Sequence, residues 1–315
     1  MQIYNLIIVF PLMIGHLHIR SPWSQLGLFF GLLGGAFILT SIGMFVVLMT
    51  TGVKSPDIDL TNPEVLFTMK WLQAVSSLTI FLLPAYLFAR ITFTARPFYF
   101  LGLRPPQKNT MYFLAVLCIL VAFPFVFWLG EINQSIPLPD WMKGLEKDAT
   151  SQMEAFLKAN NTMDVIVNVF IIALLPAICE EICFRGALQR IMIQIFKSPW
   201  GGILAASVIF STLHFQFQGF LPRVFLGVVL GALYWYSGSL WPSILAHFVN
   251  NAVQVVAVSY APEYINDNPG LPLYAALISG AAIVGILYIY RKQSTITYSK
   301  VYEVDELNRT NQFLA

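Results

Sequence analysis

The stretch IIALLPAICEEICFRGALQR, residues 171–190, carries two adjacent glutamates, Glu180 and Glu181, where an apolar run has already crossed most of a bilayer's thickness. An ionised side chain in hydrocarbon costs roughly 2.5–3.5 kcal/mol even on the lenient insertion scale, so a carboxylate at such a depth marks a functional site by default. The surrounding chain fits that setting. Of its 315 residues 57% are hydrophobic and 11% charged, where an average soluble domain is roughly 25% charged, and the mean hydropathy is +0.70. This composition predicts an all-α polytopic membrane protein. A formal net charge of +2 leaves no basic footprint for nucleic acid. Cys118, Cys179 and Cys183 lie in apolar stretches, and so sparse and odd a set makes no disulfide framework.

Apolar segments of about 20 residues, the length that spans a bilayer, fall at residues 23–49, 66–88, 111–129, 163–183, 202–217, 220–235, 241–258 and 271–290. They predict a bundle of about eight transmembrane helices. Residues 1–20 hold a shorter apolar run, interrupted by Pro11 and lacking the basic start of a signal peptide, and read as an interfacial lead-in. Residues 21–160 supply the N-terminal spans together with an amphipathic segment at 141–158, in which Trp141, Leu145, Met153, Phe156 and Leu157 alternate with charges. Residues 161–260 form the chemically distinct core, and 261–315 the last span with a polar tail. The Trp residues, among them Trp23, Trp128, Trp141, Trp200 and Trp241, fall mostly at span ends and read as an interfacial belt.

Loop charges orient the bundle, because Lys and Arg collect on the cytoplasmic side. Arg90, Arg96, Arg104 and Lys108 follow the second span, and Arg185, Arg190 and Lys197 follow the fourth. Asp57, Asp59 and Glu64, then Glu131, Asp140, Glu146, Asp148 and Glu154, then Glu263 and Asp267 occupy the alternate loops. With Arg20 before the first span and Arg291 and Lys292 after the last, both termini are expected in the cytoplasm and the amphipathic segment outside. A bacterial plasma membrane is the expected location.

The first half of the chain has hardly any ionisable group inside its spans. The second half has Glu180, Glu181, Arg185, His214, His247, Asn250 and Asn251 within or beside apolar helices. Residues at i and i+4 share a helix face, which pairs Glu181 with Arg185, Phe210 with His214 and His247 with Asn251. Glu180 lies about 100° around the helix from Glu181 and has no partner on its own helix. A carboxylate withdrawn from water can act as a general base near neutral pH, an imidazole can hold the water it deprotonates, and a His with an Asn amide can donate to the oxyanion of a tetrahedral intermediate. The inventory suits water-activated acyl transfer.

Each residue also has a plainer reading. Glu181 with Arg185 makes a structural ion pair under any hypothesis; a single buried histidine is as easily a hydrogen-bonded packing residue as a catalytic one; Cys179 and Cys183 behave as small apolar side chains; and Asn250 reads as a packing amide. The joint occurrence of Glu180 with two histidines favours chemistry.

The string Glu180-Glu181-Ile182-Cys183-Phe184-Arg185 resembles the EExxxR motif of the CPBP family of intramembrane glutamic endopeptidases, which includes the type II CAAX prenyl proteases and the Abi-type bacterial proteins. Phe210-Ser211-Thr212-Leu213-His214 is similar to the family's FxxxH motif, and His247-Phe248-Val249-Asn250-Asn251 to its HxxxN motif. The resemblance covers about residues 163–258. It implies an intramembrane endopeptidase that needs no cofactor and no metal, with Glu180 as base, His214 positioning water, His247 and Asn251 as the oxyanion site, and Glu181, Arg185 and Phe210 as structural support. It further implies a membrane-associated, prenylated or leader peptide as substrate. Two other classes stay open: a hydrolase in which Glu180, His214 and His247 ligate Zn²⁺, though no HExxH is present, and a non-catalytic transporter, scaffold or immunity factor.

Overall fold

The computed structural model describes residues 21–50, 59–92, 97–261 and 270–295. The lead-in at 1–20, most of the C-terminal tail, and Arg20, Asp57, Arg96, Glu263 and Asp267 lie outside the described residues. Nine helices longer than one turn are found among those described: α1 Pro22–Thr50, α2 Pro63–Thr92, α3 Thr110–Gln134, α4 Asp140–Leu157, α5 Thr162–Phe196, α6 Pro199–Thr212, α7 Phe220–Ser237, α8 Leu240–Tyr260 and α9 Leu273–Gln293. A single helical turn, Pro97–Phe100, sits between α2 and α3, and no strand occurs among the described residues.

The fold is that of an all-α polytopic membrane protein. Six helices, α1, α2, α3, α5, α7 and α9, are long and apolar enough to cross a bilayer. The other two expected spans are α6, which has only 14 residues, and α8, where Ser243, His247, Asn250, Asn251 and Gln254 dilute an otherwise apolar 21-residue helix. Helix α4 is the expected amphipathic element: Phe156 and Leu157 are buried while Trp141 and Leu145 stay exposed.

Local sequence punctuates these helices. Asn62 caps α2, accepting from the Glu64 amide, with Pro63 at the first position, and Asn161 caps α5 through the Asp164 amide. The α5–α6 turn is Lys197, in the left-handed region at φ 50°, followed by Ser198, whose hydroxyl accepts from the Gly201 amide. Gly238, at φ 64°, and Ser239 make the equivalent turn between α7 and α8. Both turns use a residue of positive φ to end one helix and a side-chain oxygen to begin the next.

Two expected boundaries are displaced. The fourth span, read as ending at residue 183, continues to Phe196, and the fifth, read as 202–217, begins at Pro199 and ends at Thr212. The polar group Arg185, Gln189 and Arg190 looks like a loop in one dimension, but all three are buried against neighbouring helices. The longer α5 brings Glu180 and His214 level: each lies roughly 22–24 Å from the α5–α6 turn at ~1.5 Å per residue.

Helices α2 and α5 are locally widened into π-helix at Ser77–Leu82, Val169–Leu174 and Glu181–Gln189. The first two end two residues before Pro84 and Pro176, whose missing N–H and bulky ring disrupt the α-helical ladder. The third contains the glutamate motif. Its Gly186 admits the backbone of Leu101, since a Cβ there would come within 2.7 Å of the Leu101 carbonyl oxygen. On α7, a Cβ at Gly227 would meet the Ser207 Cβ at 2.8 Å and one at Gly231 the Gln189 Oε1 at 2.6 Å, so these two glycines set how closely α7 lies on α6 and α5.

Candidate active site

The site is assembled from α5, α6, α7 and α8. Glu181 is fully buried and its carboxylate is saturated: Arg185 Nη1 donates to Oε1 at 2.6 Å, His247 Nδ1 lies 2.9 Å from Oε1, and Ser243 Oγ donates to Oε2 at 2.6 Å. Arg185 also reaches the Gly227 carbonyl through Nη2 at 3.4 Å, tying α5 to α7. A carboxylate paired with an arginine only accepts, so the hydrogen between Glu181 and His247 belongs to Nδ1 of the ring. In the neutral form of the ring the lone pair is therefore on Nε2, and that atom lies 3.8 Å from Glu180 Oε2.

Glu180 stands in contrast to its neighbour. It is only 9% exposed, and among the described residues its carboxylate takes part in no hydrogen bond, with His247 the nearest ionisable partner. The two glutamates therefore present to opposite nitrogens of one imidazole: Glu181 fixes the ring, and Glu180 faces its reactive side.

His214 was expected on the face of an apolar helix, yet it lies just beyond the end of α6, in the turn that begins at Leu213. Its Nδ1 is 2.8 Å from the Phe210 carbonyl oxygen, which again assigns the hydrogen to Nδ1 and leaves Nε2 with a lone pair. Phe210 joins the pieces. Its ring packs edge-on against His214 at 4.6 Å, His247 at 6.1 Å and Phe184 at 4.9 Å, and the Arg185 guanidinium lies 4.6 Å from its centroid. His214 is within electrostatic reach of His247, Arg185 and Arg223.

Asn251 accepts a hydrogen bond at its Oδ1 from Asn250 Nδ2, at 3.1 Å. With the oxygen so engaged, its own Nδ2 remains as a donor. His247 and Asn251 share a face of α8 but are not bonded to each other, and the histidine's hydrogen bond goes instead to Glu181. Sequence reasoning missed Ser243, which lies four residues before His247 on that same face, and Gln189, whose Nε2 donates to the Gly231 carbonyl at 3.2 Å. The recurrence of polar residues at 243, 247 and 251 was the available signal.

The loop after α6 is pinned by three other elements. Asn133, at the end of α3, donates through Nδ2 to the Phe217 carbonyl and accepts from the Leu221 amide, both at 2.7 Å. Glu146 of α4 accepts from the amides of Phe217 at 2.6 Å and Gln218 at 3.3 Å, and Trp141 packs edge-on against Phe217. Arg223 of α7 donates to the carbonyl and the side-chain oxygen of Gln216, at 3.1 and 3.0 Å. Phe215 sits at φ 54°, an uncommon conformation for a non-glycine residue that this surrounding scaffold over-determines.

Among the described residues no group of three or more His, Cys, Asp or Glu side chains is placed to hold a metal ion. The three cysteines are free and buried.

Residues 162–253 match the family of Rce1-like type II CAAX prenyl endopeptidases. The chain is also 33% identical over 92 residues to the uncharacterized protein YpbD of Bacillus subtilis (strain 168), a match covering 28% of this chain and 44% of that protein. The aligned part is thus less than half of the relative's length. No solved structure matches the chain. The segment that carries Glu180, His214, His247 and Asn251 is accordingly a domain of the Rce1-like type II CAAX prenyl endopeptidase family.

Proposed function

We propose that the chain is an intramembrane endopeptidase that hydrolyses a peptide bond of a membrane-associated or lipid-modified peptide with water activated by Glu180. The observation that carries this reading is the division of labour between adjacent glutamates: Glu181 is consumed by Arg185, Ser243 and His247, while Glu180 is buried and uncommitted beside the Nε2 of His247. The Rce1-like match supports the reaction class.

In this reading, the Glu180 carboxylate and the His214 Nε2 lone pair are the two acceptors for a water's two hydrogens. Glu180 takes one proton as the oxygen attacks the scissile carbonyl carbon, and the carbonyl electrons move onto its oxygen. The Asn251 amide nitrogen, whose oxygen is engaged by Asn250, donates to that oxyanion. His247, implied by the motif resemblance as an oxyanion donor, has its Nδ1 hydrogen taken by Glu181 and in this reading instead receives the proton from Glu180 at Nε2, its imidazolium stabilised by the ionised Glu181 on the far side. As the tetrahedral intermediate collapses, the C–N bond breaks and the same proton leaves with the amine. Glu181, Arg185 and Phe210 hold the ring and the two helices in register.

The two ends of the bundle differ in charge. Arg104, Lys108, Lys197, Arg291 and Lys292 lie at the end of the α5–α6 and α7–α8 turns, linked there by the Leu240 amide to the Gly102 carbonyl and the Thr295 amide to Gln107. Glu64, Glu131, Asp140, Glu146, Asp148 and Glu154 lie at the other, with Lys143, Lys147 and Lys158 of α4 among them. This favours a bacterial plasma-membrane orientation with the turn end and both termini in the cytoplasm.

The test is hydrolysis of a mixed library of hydrophobic and farnesylated peptides by the purified chain in detergent, read by mass spectrometry. The expected outcome is cleavage that falls at least about 100-fold in Glu180→Gln and is unaffected by a chelator. Cleavage that survives Glu180→Gln would sink the assignment of the base, and cleavage abolished by chelator would replace it with a metal-dependent hydrolase.

A further inference from the structure

Arg223 is a further ionisable group within a membrane span, and neither the ion pair of Glu181 nor the water-activating set uses it. It lies one turn into α7 and is partly exposed. A guanidinium partly withdrawn from water near the end of a membrane span is normally paired with an acid. Among the described residues no carboxylate lies within ion-pair distance of Arg223. Its two hydrogen bonds go to the neutral oxygens of Gln216, leaving part of its fork of N–H donors unused. Glu180 and Glu146 are both within electrostatic reach of it.

The placement is built. Gln216 grips the guanidinium through two oxygens, and Gly219 clears its path, because a Cβ at Gly219 would come within 2.9 Å of Arg223 Nη2. The same loop carries His214, and Asn133 and Glu146 hold it from outside. A cation is thus held rigidly against the loop that carries His214, with no carboxylate of the described residues bonded to it.

Resting on the peptidase reading, we infer that Arg223 is a specificity-determining residue that anchors a carboxylate of the substrate, above all the free carboxyl end of a peptide. Guanidinium and carboxylate match in a two-pronged geometry, and hydrogen bonds between charged partners are about twice as strong as neutral ones. Anchoring the chain end near Glu180 directs hydrolysis to bonds close to the carboxyl terminus. It also supplies a carboxylate at ion-pair distance, which the guanidinium lacks among the described residues.

The experiment uses fluorescein-labelled hydrophobic peptides made as matched free acids and C-terminal amides, with a third series carrying a terminal amide and an internal Asp. Binding to the full-length Glu180→Gln chain in detergent is read by anisotropy, so affinity is measured apart from cleavage. The free acid should bind at least about tenfold more tightly than its amide. Arg223→Gln should remove that preference while leaving amide binding in place, and Arg223→Lys should keep part of it. Preference for the internal Asp series would move the anchor from the chain end to a side-chain carboxylate. Equal affinity for acid and amide when Arg223 is present, or no binding of either, overturns the proposal, and so does a preference that survives Arg223→Gln. None of these outcomes depends on turnover by the wild-type chain, whose failure would instead remove the peptidase reading.

Discussion

Glu180 and Glu181 are the same residue type one position apart, and their surroundings give them opposite prospects. The charge on Glu181 is compensated in place, so deleting one partner leaves the other buried and unpaired. Glu181→Gln and Arg185→Met should each cost about 3–5 kcal/mol, seen as a large fall in the unfolding midpoint in detergent. Ser243→Ala should cost about 1 kcal/mol, and a loss as large as that of Arg185→Met would show that the hydroxyl is central to holding Glu181. At this scale much of the site was legible: helical spacing paired Glu181 with Arg185 and Phe210 with His214, and those pairs are in contact. What spacing does not carry is which nitrogen of a histidine meets which acceptor. That depends on contacts across 66 positions of chain, from Glu181 to His247.

At the scale of elements, the amphipathic α4 and the loop after α6 act together. Glu146 holds two loop amides, so Glu146→Gln should loosen the segment that carries His214 without unfolding the bundle. Faster hydrogen exchange at residues 215–219 and a lower kcat with unchanged folding are the expected results, and unchanged exchange would mean that Asn133 alone suffices. Tight contact between α7 and α5 gives a second expectation. Gly231→Ala puts a methyl group against Gln189 and Ile203, the latter at 2.8 Å, and should cost about 1–3 kcal/mol by overpacking, read by the same unfolding measurement. Elements were easy to locate from the apolar runs and hard to delimit. Arg185, Gln189 and Arg190 mark a loop by composition, yet all are buried in one long helix because α7 and the turn after α2 offer them partners. The widened segment Glu181–Gln189 has no proline to announce it.

Across the whole molecule, the charged ends set the expected topology. A cysteine placed at Lys197 should resist a membrane-impermeant maleimide in intact bacterial cells, and one placed at Asp148 should react. The native cysteines are buried and do not interfere; the reverse pattern would invert the bundle. Composition and span length made the all-α membrane class readable without coordinates, whereas the brevity of α6 and the polar dilution of α8 became intelligible only when each was seen to pack its polar or small-residue side against longer helices. The histidine that reads both glutamates has a further consequence, in time. Arg185 reaches Glu181 within one turn of a growing helix, but His247 is made 66 residues later, roughly 3–13 s at ~5–20 residues per second. Through that interval the newborn protein holds its acids but not the ring that sorts them, so the two glutamates acquire their different surroundings only once α8 has been made.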